Sequence, residues 1–429
     1  MKILNKFYLL IFVVLLIVSL SLPLLAQAGS DSAFDELNKE TERPQTNGKQ
    51  MDMQQLRKAR VQERETLRQN MEKQDKQWGR LSRAMEVQWN QMVKRVNAQR
   101  EELRKRVEQQ WDEFQDSTNK EWVEYNPGMD TRSRVDFETG EVEISTLIPV
   151  EELKDKGEPV VPESGELNES QQKKVRKLAE KKIEKQMKKI LSSDNEVHTD
   201  ALEDQIKDPE GKTITQKNSG EYVEKYVAPE MKIEKKPVVA KDGIPRIKVT
   251  VKLKMVPEHL RIRAEKYKGE VDKYAREYDL DPALIYAVIH TESYFNPLAK
   301  SYIPAYGLMQ LVPKSGAVDA YYYLYKEKKI LSPGYLYNPD NNVMLGATYL
   351  HILQSIYLAD IKDRINRQTL SIAAYNWGPG RINNKIVKKN KVNKLSNGEV
   401  LELINKTAPR ETRDYVRKVQ ERMTLYGRM

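Results

Sequence analysis

The feature that most constrains the fold is a stretch of 75 residues, 51–125, that contains no proline and a single glycine. Four of the five tryptophans recur there at multiples of eleven residues: Trp78, Trp89, Trp111 and Trp122. Eleven residues over three turns is about 3.67 per turn, so these side chains would line one side of a helix. The pattern predicts a long amphipathic helix over 51–126, roughly 110 Å long if unbroken.

The polar faces of this predicted helix carry Arg, Glu and Gln, which mix both signs of charge. Mixed charges on a helix usually form a solvated face, so we expect no nucleic-acid partner. The apolar stripe is more typical of packing on another helix than on a membrane. We therefore expect self-association, or docking on the domain that follows.

The chain begins with a basic residue pair and an apolar run over 7–25, followed by Ala26-Gln27-Ala28. This order is typical of a secretory signal peptide, predicted over 1–28, with a linker over 29–50. An uncleaved membrane anchor is the alternative, because the run is nearly long enough to span a bilayer. Either interpretation predicts export to the periplasm.

Cysteine is absent from the sequence, which excludes disulfides, a thiol nucleophile and thiolate metal sites. A lipid-modified cysteine is excluded for the same reason. If the protein is attached to a membrane, the leader or the long helix must hold it there.

A small α+β domain is predicted over 127–256. Alternating apolar residues on either side of Glu138-Thr139-Gly140 indicate a β-hairpin. Apolar residues at helical spacing over 171–191 indicate an amphipathic helix, and strict alternation over 247–255 indicates a half-buried strand. Nothing in this domain suggests chemistry.

The chemistry is expected in a helix that starts at Asp281-Pro282, where a carboxylate caps the first turn, and that ends before Pro297. Three isoleucine or valine residues precede Glu292 by seven, four and three positions, so all four share one face. Glu292 would therefore lie on the buried face, where desolvation raises its pKa. Such a carboxyl could act as a general acid on a glycosidic oxygen. A buried Glu paired with a basic residue is the equal alternative.

Three short segments occur in order from Glu292 onward: 292–297 (Glu-Ser-Tyr-Phe-Asn-Pro), 306–311 (Tyr-Gly-Leu-Met-Gln-Leu) and 374–378 (Ala-Tyr-Asn-Trp-Gly). Together they resemble, in order, the signature motifs of the soluble lytic transglycosylase (SLT, goose-lysozyme-like) domain. A fourth, weaker segment covers 411–416. The region upstream resembles the N-terminal domain of the membrane-bound lytic murein transglycosylase C family.

The resemblance implies an α+β protein whose C-terminal domain, 257–429, is mostly helical and lysozyme-like. Glu292 would be the single acid/base of a peptidoglycan lytic transglycosylase. It would protonate the oxygen between N-acetylmuramic acid and N-acetylglucosamine, then take the proton of the muramoyl 6-hydroxyl as that oxygen closes a 1,6-anhydro ring. Tyr375 would hydrogen-bond the Glu292 carboxyl and orient it.

The resemblance also assigns residues to the substrate cleft. Ser301 and Gln310 would contact the glycan strand or its stem peptide. Met309 would form one wall of the cleft, which Asn376 would support. No metal or other cofactor is implied.

Ordinary glycosidases use two carboxylates, whereas the acidic residues between Glu292 and Gly380 lie outside the motifs. A one-carboxylate scheme relies on the substrate's own hydroxyl, which proximity favours. Two alternatives stay open: a muramidase of the same fold, and a non-catalytic wall-binding scaffold. The basic surplus supports a peptidoglycan partner, because 29 Lys and Arg face 18 Asp and Glu over 251–429 and the stem peptides carry carboxylates.

Overall fold

The computed structural model describes residues 78–153, 167–193 and 200–427, together with the single residues Lys58, Gln62 and Glu65. The predicted signal peptide and linker, and the start of the predicted long helix, lie outside these residues. None of the helices in the described ranges is long and apolar enough to span a bilayer.

All six strands lie in the first part of the described chain together with three helices, and the second part is helical, which confirms the predicted α+β class. The strands are β1 (Glu121–Tyr125), β2 (Thr131–Asp136), β3 (Glu141–Pro149), β4 (Lys232–Ile233), β5 (Val238–Val239) and β6 (Pro245–Lys254). The helices before and between them are α1 (Trp78–Val107), α2 (Glu169–Ile190) and α3 (Ser219–Tyr222). The helices after them are α4 (His259–Lys266), α5 (Lys268–Tyr278), α6 (Pro282–Ser293), α7 (Gly316–Tyr325), α8 (Pro333–Tyr337), α9 (Pro339–Ile352), α10 (Arg364–Trp377), α11 (Pro379–Ile382), α12 (Asn397–Thr407) and α13 (Arg410–Tyr426).

The prediction of one helix over 51–126 is wrong at its C-terminal end, because α1 stops at Val107. Trp111 turns into the core, where its indole donates a 2.5 Å hydrogen bond to the Met129 carbonyl and lies 4.3 Å from the Arg132 guanidinium. Trp122 belongs to β1 and faces Val135 of β2. These tertiary contacts outweigh the helix propensity of the segment.

The polar residues between the two tryptophans also favour a non-helical chain. Asp116 accepts from the backbone of Ser117, and Thr118 accepts from the backbone of Glu121. Such local hydrogen bonds offer the backbone an alternative to helix.

The eleven-residue stripe is real within α1. The stripe residues with described side chains, in steps of three and four, are covered or half-covered: Met85, Trp89, Met92, Val96, Arg100, Leu103 and Val107. Glu86 pairs with Lys314 at 2.7 Å, and Arg100 lies 5.0 Å from the ring of Tyr302. Of the two predicted uses of the stripe, docking on the following part of the chain is seen at its C-terminal end, where Leu103 and Val107 pack with Trp111 and Leu147.

The strands form one antiparallel sheet in the order β1-β2-β3-β6-β4, with β5 also paired to β6. The predicted hairpin is confirmed as β2 and β3, and Gly140 takes the left-handed φ of +69° that its turn requires. The predicted strand over 247–255 is β6, and the predicted helix over 171–191 is α2. Val175, Ile183 and Met187 of α2 are buried in a core shared with the sheet.

The C-terminal helices surround α6, and their side chains form a second core. All residues of α6 from Ala283 to His290 are buried, and α13 packs along this helix. A central helix that is apolar on every side needs this enclosure, since no face can be left to solvent. The last turn of α6 is consequently held between α13, α10 and the loop 294–315.

Candidate active site

The candidate acid/base lies in the last turn of α6. Asp281 caps the helix by accepting a 2.9 Å hydrogen bond from the Ala283 backbone, as predicted. The helix ends at Ser293, before Pro297 would stop it, because Tyr294 and Phe295 have φ of +52° and +60°. Residues in the left-handed region reverse the chain direction and stop the helix. Glu292 is therefore the penultimate helical residue.

The carboxyl of Glu292 is enclosed as the sequence pattern predicts. Ile285, Val288 and Ile289 on the same face are wholly buried, and Glu292 itself is half-buried. Burial raises the pKa of Glu292 to about 8, and the charge of Glu411 acts in the same direction. The hydroxyl of Tyr415 interacts with the carboxyl and lowers its pKa, although this oxygen makes no hydrogen bond of standard geometry. A pKa above neutral favours the protonated carboxyl, which is the form that a general acid requires.

Tyr375 lies beside Glu292, but its hydroxyl donates elsewhere, so the predicted hydrogen bond is not seen with Tyr375 as the donor. Its hydroxyl donates to the backbone carbonyl of Met309 at 2.9 Å, and its ring lies 5.4 Å from that of Tyr349. Burial and the nearby charge of Glu292 raise the pKa of Tyr375 well above its ordinary value. Tyr375 is thus a neutral hydroxyl that joins α10 to the second motif.

The second motif is a tight loop that is held by a buried amide. Asn342 of α9 donates to the carbonyls of Tyr306 and Leu336 and accepts from the Met309 backbone at 2.8 Å. Gly307 has a φ of +75°, and a Cβ there would come within 2.4 Å of the Asn342 side chain. Only glycine fits this close approach.

Two predicted substrate contacts, Ser301 and Gln310, are engaged within their own loops. The exposed Ser301 hydroxyl donates to the Ile303 carbonyl and accepts from the Ala305 backbone. The half-buried Gln310 amide donates to the Gly307 carbonyl at 3.0 Å, and Gln310 has a φ of +46°. Their contact with substrate stays a prediction.

Met309 differs from its prediction as a cleft wall, because its side chain is wholly buried. A Cβ on Gly346 would come within 2.1 Å of the Met309 sulfur, so this thioether packs directly on α9. The Met309 backbone is what faces the site, through its bond to Tyr375.

Asn376 links the third motif to α13. Its carbonyl oxygen accepts from the Thr412 hydroxyl at 2.6 Å, and its amide donates to Glu411 at 3.4 Å. Asn376 therefore binds Glu411, the carboxylate whose charge raises the pKa of Glu292. The sequence alone assigned no role to Glu411 or Tyr415. Both lie in the fourth segment, 411–416, and the resemblance of that segment to the family could have indicated them.

A cavity of about 500 Å³ lies between α12 and α13, away from Glu292. Its charged groups pair with one another, for example Arg417 with Glu421 at 3.0 Å. Paired, exposed charges are poor acid/base catalysts, so the chemistry is better placed at Glu292. No group of three or more His, Asp or Glu side chains in the described ranges is arranged to hold a metal ion.

Comparison with known proteins adds two matches that together cover most of the described chain. The model of the transglycosylase SLT domain family matches residues 270–397, and the model of the membrane-bound lytic murein transglycosylase C N-terminal domain matches residues 62–266. The second match includes α1 as well as the sheet.

Among individual proteins, membrane-bound lytic murein transglycosylase C of Salmonella arizonae is 38% identical over 189 residues, which is 43% of this chain and 52% of that protein. The protein of the same name from Klebsiella pneumoniae is 36% identical over the same shares. The chain thus spans about half the length of these curated relatives. A solved structure of lytic transglycosylase Slt from Pseudomonas aeruginosa, an inactive mutant, is 29% identical, with a TM-score of 0.31 over 38% of this chain and 24% of that one.

Proposed function

We propose that this chain, which carries an SLT domain preceded by a region of the murein transglycosylase C N-terminal type, is a peptidoglycan lytic transglycosylase. The observation that carries the proposal is the Glu292 carboxyl, enclosed at the end of α6 with a pKa raised to about 8. A carboxyl that keeps its proton at neutral pH can deliver it to a leaving oxygen.

The reaction needs one proton to leave Glu292 and one to return. The carboxyl protonates the glycosidic oxygen between the muramoyl and glucosaminyl units while the bond from C1 to that oxygen breaks. The carboxylate then accepts the proton of the muramoyl 6-hydroxyl as its oxygen bonds to C1. Atoms balance without water, and intramolecular attack is favoured because the hydroxyl is already held beside C1.

The surrounding hydroxyls suit this cycle. Tyr415 is buried and Tyr375 is half-buried beside Glu292, and burial raises the pKa of each well above its ordinary value. They therefore stay neutral through the cycle and can act only by hydrogen bonding. Because Tyr375 donates to the Met309 carbonyl, its oxygen retains lone pairs that can accept from protonated Glu292.

A muramidase is the second candidate, and the observation in its favour is Glu411. A second carboxylate beside the acid is what hydrolytic glycosidases use to activate water or to attack C1. Asn376 binds Glu411 and would restrain it in either role.

Mass analysis of the products from purified sacculi separates the two reactions. Muramoyl ends 18 Da lighter than reducing ends are expected from a transglycosylase, since no water is added. Reducing ends would assign the muramidase activity instead, and no soluble product would favour the wall-binding scaffold. Glu292→Gln is the matched control, because it keeps the shape of the side chain but cannot release a proton.

We also propose that the protein is exported to the periplasm by the leader over 1–28, and that its two domains divide near residue 256. Two separate cores support the division: one lies wholly after that position, and the buried residues of the other lie before it apart from Leu298.

A further inference from the structure

The backbone of Glu292, as well as its side chain, has a specific partner. The last carbonyls of a helix receive no hydrogen bond from the helix itself, so other groups must donate to them. The Glu292 carbonyl accepts a 2.9 Å hydrogen bond from the side-chain amide of Asn119. Asn119 lies in the loop before β1, 173 residues away in the sequence. A residue outside the helical domain thus binds the peptide unit of the candidate acid.

Asn119 belongs to a short segment, 116–119, that we call the strap. The strap holds both ends of the chain segment 292–300. At the far end, the Lys300 backbone donates to the Thr118 carbonyl at 3.3 Å, and the Lys300 amine pairs with Asp116 at 2.9 Å. The position of Glu292 is therefore fixed relative to the sheet as well as to α13.

A second set of contacts supports the residue that ends α6. The Tyr294 hydroxyl donates to Glu138 of the β2–β3 turn at 2.6 Å. The buried Arg263 guanidinium donates to the carbonyls of Tyr294 and Phe137 at 3.0 and 2.7 Å. These bonds secure the left-handed turn but leave the Glu292 carbonyl to Asn119.

We propose that Asn119 is a positioning residue for the reaction, an inference that rests on the proposed function. By binding the Glu292 carbonyl, it keeps the last turn of α6 wound and the carboxyl enclosed. Without it the turn can fray, and the carboxyl becomes more hydrated. Less burial lowers the pKa of Glu292, so the acid loses its proton at a lower pH. Misplacement of the carboxyl also slows the chemical step.

The test compares Asn119→Ala and Asn119→Leu with Asn383→Ala in the full chain. Asn383 makes the same kind of bond, from its amide to the Tyr357 carbonyl at 3.1 Å, away from the candidate site. Release of soluble muropeptides from sacculi is measured from pH 5 to 10, with melting temperature as the folding control. Asn119→Leu keeps the number and branching of the side-chain heavy atoms, which guards against collapse of the loop.

Both Asn119 variants are expected to lower kcat by about ten- to a hundredfold with little change in KM. The alkaline limb of their pH profiles should move down by about half a unit or more, and their melting temperatures should match that of Asn383→Ala. A profile that overlays the wild type, or unfolding of both variants, would overturn the positioning role. A wild-type protein that releases no anhydro product would instead overturn the proposed function, so the two failures are distinct.

Discussion

Half-buried carboxylates have opposite pKa shifts in the sheet region and in the helical region. In the sheet region, partners outweigh burial. Burial alone would raise the pKa of Asp130, but Lys182 at 2.8 Å and hydrogen bonds from Asn126 and Thr131 hold it below its ordinary value. In the helical region, burial outweighs partners, and the pKa values of Glu292 and Asp319 are raised to about 8 and about 6.

This difference separates charges that stabilise the fold from charges that can react. A paired carboxylate favours the folded state but holds its charge too firmly to exchange a proton near neutral pH. A carboxyl without a close cation destabilises the folded state once ionised, so such a group is a candidate for a functional role. The comparison selects Glu292 and Asp319 as candidates, and of these two only Glu292 lies in one of the three motifs.

The largest expected effect is on activity. Glu292→Gln should reduce the release of anhydro products from sacculi by at least about a thousandfold, because the amide cannot supply the proton. Asp130→Asn should leave the rate within about twofold, since its carboxylate serves only the fold. The measurement is muropeptide release at pH 6. Equal losses in both variants would show that the comparison does not distinguish reactive from structural carboxylates.

The substitutions Glu292→Gln and Asp130→Asn should have opposite effects on stability. The folded-state pKa of Glu292 lies above its unfolded value, so its contribution is fully present below about pH 4.5 and is lost as pH rises to about 8. Glu292→Gln should thus be more stable than wild type at pH 8.5 by about 2–4 kcal/mol, and equal to it near pH 4. Denaturant unfolding at both pH values measures this difference.

Asp130→Asn should behave in reverse, because the pKa of Asp130 is depressed in the folded state. Its stabilisation is present above the unfolded pKa near 4 and is lost as pH falls further. The substitution should destabilise by about 1 kcal/mol at neutral pH and by less in acid. Destabilisation by Glu292→Gln at pH 8.5 would contradict the assigned burial of its carboxyl.

Local signals in the sequence were sufficient for much of this molecule. The cap at Asp281, the turn at Gly140 and the alternation in β6 each act within a few residues, so their elements could be predicted. The burial of Glu292 followed from helical spacing alone. The periodic stripe also predicted the covered face of α1 correctly.

Contacts between distant segments could not be predicted in this way. The stripe continues through Trp111 and Trp122 in the sequence, but the contact of Trp111 with Arg132 and the pairing of β1 with β2 end the helix first. Asn119 carries no local mark of its bond to Glu292. Tyr375 was placed near the right carboxyl but donates elsewhere, because the Met309 carbonyl is a fixed acceptor in reach.

The neighbours of Glu292 should tune its pKa in opposite directions. The charge of Glu411 raises the pKa of Glu292, so Glu411→Gln should move the alkaline limb of activity to lower pH by about half a unit. The Tyr415 hydroxyl lowers that pKa, so Tyr415→Phe should move the limb to higher pH. The pH profile of product release measures both. Shifts in the same direction would mean that one of the two groups acts on a different residue.

The smallest expected effect concerns charges that have no ion pair within the part of the chain that the structure describes. Lys385, Lys388 and Lys389 are exposed, and they follow the third motif in a stretch, 364–398, that has no acidic residue. Lysines without acidic neighbours can attract the carboxylates of stem peptides through solvent, an effect that salt screens. Replacing all three by Gln should slow digestion of sacculi about three- to tenfold at low ionic strength and reduce its salt dependence.

The matched triple replaces the exposed lysines of α2: Lys173, Lys177 and Lys181. It removes the same charge from the sheet region and should change the rate less than about twofold, because steering depends on where the charge lies relative to the site. Equal effects of the two triples would mean that net charge alone governs encounter with the wall, and that the helical region has no special role in it.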